Sequence, residues 1–137
     1  MRIGVPKETT EGERRVALVP EVVGKLTRAA GEDASGAGGI RILVQRGAGA
    51  GALIGDEAFA EAGAELVDEA PFDCDVVVKV ATPNAEEIGR LGSETTLISF
   101  LGPLTNGEGV RALASAGVTS FAMEAIPRTT RAQAMDA

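Results

Sequence analysis

The chain has 137 residues, room for one domain and little more. It is 45% hydrophobic, but with four Phe and no Trp or Tyr its core must be built from Val, Leu, Ile and Ala. A net charge of −7 argues against DNA, RNA or an anionic membrane as a direct partner, because each would repel it; ordinary solubility is the plain alternative.

In chain order, Arg2 to Val5 (RIGV) reads as a strand stopped by Pro6. The opening MRIGVPKE carries charge within eight residues and has no apolar stretch of signal-peptide length. A charged loop follows, and Pro20 then opens a helical pattern (PEVVGKLTRAAG) with Gly31 near its end. Residues 31–39 (GEDASGAGG) lack periodicity and read as a mobile surface loop. Residues 40–45 (IRILVQ) form a second strand, Asp56 is placed to cap a short helix ending at Gly63, and residues 64–67 suit a short strand. The run 75–80 (DVVVKV) is a strand fit for burial on both faces. Asn84 caps the next helix, residues 95–101 (TTLISFL) are a strand, Asn106 caps a further helix, and residues 118–123 (VTSFAM) make the last strand. The final ten residues (RTTRAQAMDA) break the alternation and read as a loop.

Strands separated by helices imply right-handed crossovers and a mainly parallel sheet. The expected class is α/β, a flavodoxin-like or Rossmann-like three-layer sandwich. Residues 1–127 would form this body, and 128–137 the start of a loop into a further domain. No segment approaches the roughly 20 apolar residues needed to cross a bilayer, so direct membrane insertion is not expected.

Several residues invite a chemical role. The single cysteine, Cys74, cannot form an internal disulfide, which suits a reducing compartment; opening an apolar run, it reads as a buried, inert thiol. No histidine is present, so acid/base work near neutrality must fall to a shifted Lys, Glu or Asp, or to nothing in this chain. Nor does any residue group suggest a metal site. Gly47, Gly49 and Ala52 match a dinucleotide-binding spacing, with Asp68 and Glu69 near the usual acidic offset. Yet the following helix is displaced and short, and a flexible loop at the sheet's edge is preferred.

Arg14 and Arg15 offer guanidinium forks for a carboxylate or phosphate, or simply belong to a solvated loop. Lys79, inside the most apolar strand, either snorkels or serves a site at the carboxyl edge of the sheet. After Pro127, the set Arg128, Arg131, Gln133 and Asp136 could hold a carboxamide and ribose, or could equally be a frayed terminus.

The opening MRIGVPKETTEGERRVALVPEVVGKL, the segment GAGAGALIGDEAF and the closing PRTTRAQAMDA together resemble the alanine dehydrogenase/transhydrogenase N-terminal family. The resemblance covers the chain apart from the 31–39 loop. It implies two possible branches. Alanine dehydrogenases hold the substrate carboxylate through an arginine matching Arg15, use a lysine matching Lys79, and employ a histidine acid/base that falls at or near Gly102 here. Such a group typically contributes about 10²–10⁴-fold, so its absence favours the transhydrogenase branch, where hydride passes directly between nicotinamide rings.

For that branch the resemblance implies hydride transfer from NADH to NADP⁺ coupled to proton passage across a membrane. Arg128 would bind the NAD carboxamide, Asp136 would orient Arg128, Gln133 would reach toward the NADP domain, and Thr129 and Thr130 would add contacts. NAD(H) would be held mainly by a domain outside this chain, and NADP(H) by a partner domain. A membrane-embedded proton-channel domain, an NADP-binding domain and a homodimer are the implied partners, with a peripheral position on the cytoplasmic face of the inner membrane. On this view the chain is a fragment, inactive and weak for NADH alone, and prone to self-association through an uncovered apolar patch. A non-catalytic flavodoxin-like interaction module is the remaining alternative.

Overall fold

The computed structural model describes residues 1–32 and 39–135. Most of the 31–39 loop, and Asp136, lie outside the described residues. Among the described residues six strands form one sheet: β1 (Arg2–Val5), β2 (Arg41–Gln45), β3 (Glu65–Val67), β4 (Val76–Val78), β5 (Thr96–Ser99) and β6 (Thr119–Ala122). Their order is β3-β2-β1-β4-β5-β6 and every pairing is parallel. The α/β expectation therefore holds, and the strand order is the Rossmann type rather than the flavodoxin type.

Four helices serve the crossovers: α1 (Pro20–Glu32), α2 (Asp56–Glu61), α3 (Ala85–Arg90) and α4 (Gly107–Ser115). The pleat sends alternate residues to opposite faces, and this divides the core in two. Ile3, Val5, Ile42 and Val44 pack with Val23 of α1 and Phe59 of α2. Leu43, Val77 and Leu97 pack on the other side with Ile88 of α3 and Leu113 of α4. Aliphatic side chains thus supply nearly all of the core, as the composition requires.

One connection breaks the expected alternation. Between β3 and β4 the chain crosses from the sheet edge back past β1 without a helix. Phe72 and Cys74 are buried in that passage, and the Pro71 carbonyl lies so close to Gly4 that any side chain there would collide with it. Burial pushes the Cys74 thiol above its ordinary pKa, which leaves it inert.

Helix starts follow the capping residues, with one exception. Asn84 and Glu87 close a capping box on α3, and the Asn106 side chain accepts the Gly109 amide at 3.2 Å to start α4. Asp56 does not cap α2, whose N-cap is Gly55; its carboxylate instead accepts the Gly47 amide at 2.9 Å.

Candidate functional site

The chain order reverses between β1 and β4, so the crevice where open α/β sheets bind ligands lies beyond the carboxyl ends of those two strands. Lys79 stands there. It does not snorkel: its side chain is 1% exposed, and the ammonium lies between two carboxylates. Nζ donates to Glu8 at 3.0 Å and stands 3.4 Å from Glu87.

The carboxylates find their remaining partners locally. Glu8 also accepts the amides of Val80 at 2.6 Å and Ala81 at 3.2 Å. Glu87 accepts the Thr9 hydroxyl at 2.9 Å and the Asn84 amide at 3.3 Å. No buried side-chain nitrogen or oxygen lacks a partner among the described residues. Lys79 therefore ties the β1–α1 loop onto the β4–α3 turn.

Arg15 is committed as well, but in the open. Its guanidinium grips Glu13 through Nε and Nη2 at 2.9 and 2.8 Å, and lies 5.9 Å above the Phe100 ring. Hydrogen bonds from Arg15 hold the Glu13 carboxyl at about 2, well below the usual range. Arg15, Val16, Val19, Ala52, Val80 and Phe100 line a largely apolar cavity of about 380 Å³ at this edge. Arg15 and Lys79 thus occupy the same side of the sheet, yet only Arg15 contributes to the cavity wall.

The glycine stretch forms a closely packed turn. It follows β2, not a strand at the reversal point, and closes a 3₁₀ turn at Ala50–Ala52. A Cβ on Gly49 would stand 2.7 Å from both the Ile54 carbonyl oxygen and the Phe59 ring, and one on Gly51 would stand 2.8 Å from the Arg14 carbonyl oxygen. Packing within the protein accounts for both glycines.

Beyond β6, Met123–Ala125 makes a 3₁₀ turn, and the chain then runs exposed through Arg128 to a last 3₁₀ turn at Gln133–Met135. Ala132 is buried and ties this segment down. Arg128, Thr129, Thr130 and Gln133 together line a polar cavity of about 300 Å³. Four of the six residues singled out in this segment are therefore brought together; Arg131 does not line the cavity, and Asp136 is outside the described residues.

The sequence profile described as "Alanine dehydrogenase/PNT, N-terminal domain" matches residues 4–137. This chain belongs to that family. Similarity to individual alanine dehydrogenase/PNT proteins runs through nearly the whole chain. It is 40% identical to the NAD(P) transhydrogenase subunit alpha of Cereibacter sphaeroides, matching 100% of this chain and 25% of that protein. It is also 40% identical to the alanine dehydrogenase of Mycobacterium tuberculosis, over 92% of this chain and 32% of that one. The solved transhydrogenase from Sinorhizobium meliloti superposes with a TM-score of 0.86 at 37% identity, covering 99% of this chain and 39% of its own. The chain thus spans well under half the length of each of these relatives.

Within this N-terminal family domain, Glu8, Glu87, Thr9 and Glu124 escaped the sequence reading. Two signals pointed toward them. An N-x-x-E spacing at Asn84–Glu87 marks a capping box. A lysine in an apolar strand also demands a buried counter-charge, and Glu8 follows the neighbouring central strand. Among the described residues no helix is long and apolar enough to cross a membrane, and no cluster suited to a metal ion occurs.

Proposed function

We propose that this chain is the opening domain of the alpha subunit of a proton-translocating NAD(P) transhydrogenase, with residues 1–127 as its α/β body and 128–137 as the start of the loop into an NAD-binding domain. The observation that carries this reading is the polar cavity formed by Arg128, Thr129, Thr130 and Gln133. A nicotinamide carboxamide presents one carbonyl acceptor and one amino donor. The guanidinium supplies donors in a fixed fork, the Gln133 amide supplies both kinds of group, and the two hydroxyls supply either, so the donor set fits.

When bound, the nicotinamide supplies the hydride chemistry. The chain's own part is placement. Arg128 holds the carboxamide, Asp136 orients Arg128, Gln133 reaches toward the NADP-carrying domain, and Thr129 and Thr130 fix the rim. Placement of this kind is what a direct transfer between two rings needs, because effective molarity rather than proton movement sets its rate. Coupling to proton passage through a membrane-embedded domain, pairing of two subunits, and a peripheral position on the cytoplasmic face belong to the same proposal.

The state of Arg15, Lys79 and Gly102 favours this branch over alanine dehydrogenase. Glu13 holds Arg15, Glu8 and Glu87 hold Lys79, and Gly102, at or near the acid/base position, is left-handed with φ 56°. Two measurements test the proposal. Arg128→Lys in the complete subunit should lower hydride transfer from NADH to an NADP analogue about tenfold or more, since a lysine cannot reproduce the fork. The 137-residue chain alone should show negligible NADH affinity by fluorescence titration. An unaltered rate, or tight NADH binding by the chain alone, would overturn it.

A further inference from the structure

Glu124 sits in the 3₁₀ turn that follows β6, four residues before Arg128, and its carboxylate reaches back across the sheet edge. There it accepts the amide N–H of Leu101, at 2.8 Å, and the amide N–H of Gly102. Both amides belong to the turn leaving β5, more than twenty residues earlier in the chain. Two successive N–H groups aimed at one oxygen form an anion-binding concavity, a nest. Burial pushes the Glu124 carboxyl up, but its own amide and those of Gly102 and Leu101 outweigh this and hold it below the usual carboxylate range.

The far side of the same turn is also fixed. The Gly102 carbonyl accepts the amides of Thr105 at 2.9 Å and Asn106 at 2.7 Å, and Asn106 caps α4. Glu124 is therefore attached to a rigid point of the body. Between it and Arg128 stand only Ala125, Ile126 and Pro127, where Ile126 is turned back onto Met123 at 3.3 Å and Pro127 has a fixed φ. At the other end of the loop, Ala132 is buried. The exposed stretch that lines the polar cavity is thus held between two anchors, and the upstream anchor is a single carboxylate.

We infer that Glu124 is a positioning residue for the Arg128 loop: its grip on the Leu101 and Gly102 amides sets the direction in which residues 127–133 leave the sheet. The inference rests on the function proposed above. The turn that in the dehydrogenase branch would carry the acid/base serves here as a backbone socket for the loop that handles the ring. Glu124 touches no reacting atom on this account, so its loss should misplace Arg128 without removing any group that contacts the cofactor.

The test compares Glu124→Ala, Glu124→Gln and Arg128→Ala in the complete subunit, by steady-state hydride transfer and thermal unfolding. Gln keeps a carbonyl oxygen that can accept the same two amides but removes the charge. A small misplacement of the ring costs turnover more than affinity, so Glu124→Ala should lower kcat about tenfold while KM for NADH moves less than about threefold. Glu124→Gln should recover most of that loss, with both variants melting within a few degrees of the parent. If Arg128→Ala lowers kcat but Glu124→Ala stays within twofold of the parent, the positioning role is wrong and the proposed function stands. If Arg128→Ala also leaves kcat unchanged, the proposed function fails and this inference falls with it. A kcat loss that tracks a lowered melting temperature equally in Ala and Gln would mark a merely structural contact and overturn the inference.

Discussion

Lys79 and Arg128 are both cations beyond the carboxyl ends of sheet strands, yet their settings are opposite. Lys79 is 1% exposed and shares its ammonium between Glu8 and Glu87, which draw further hydrogen bonds from backbone and Thr9. Arg128 lies on an exposed segment without regular helix or strand, beside hydroxyl and amide groups that line an open polar cavity. A buried charge must be fully paired to be tolerated, and full pairing leaves it nothing to offer a ligand. An exposed charge contributes little to stability. The reversal point of the sheet, where a ligand is usually sought, is spent here on holding the fold. On the proposed function, the loop after the last strand carries the recognition chemistry.

Stability and activity should therefore separate between the two regions. The largest effect is expected at the buried cluster, where Lys79→Ala would leave two carboxylates without their cation and cost about 3–5 kcal/mol in urea unfolding. A loss below about 1 kcal/mol would mean that water reaches the cluster and the contrast is false. Gly49→Ala comes next: overpacking against Ile54 and Phe59 should cost about 1–3 kcal/mol while leaving the subunit's NADH affinity unchanged. Weakened NADH binding without destabilisation would instead restore that turn as a dinucleotide site. The smallest effect belongs to the exposed Arg15–Glu13 clamp. Its Glu13 carboxyl is lowered from 4.5 to about 2, so any stability it adds is present above about 4.5 and lost as pH falls through about 2. Carboxyl-carbon chemical shifts of Glu13 should titrate near 2; titration near 4.5 would show that the clamp does not persist in solution.

The same contrast explains what could be read from the sequence. The strands were legible because runs such as IRILVQ and DVVVKV are too apolar for anything but a buried parallel strand. Asn84 and Asn106 marked their helices because an N-cap is a local property. The β3–β4 connection was read without a helix, but its path was not legible, since it depends on Pro71 meeting Gly4, far apart in sequence. Lys79 invited a buried counter-charge, but the pairing with Glu8, 71 residues away, is a tertiary fact. The glycine stretch shows the reverse: its spacing fits a motif that the displaced helix already argued against, whereas the atoms facing its glycines are tertiary facts. In the terminal loop the chemical inventory was visible and the shape was not, because a 3₁₀ turn and a run of exposed backbone leave no periodicity to detect.

The proposed function depends on the chemistry of the terminal loop. It is tested most directly by changing Arg128, Gln133 and Asp136 together to Ala in the complete subunit and measuring hydride transfer between NADH and an NADP analogue alongside thermal unfolding. Transfer should fall by about 100-fold or more, an effect typical of lost positioning, while the melting temperature stays within a few degrees of the parent. Full hydride exchange in that triple variant would contradict it.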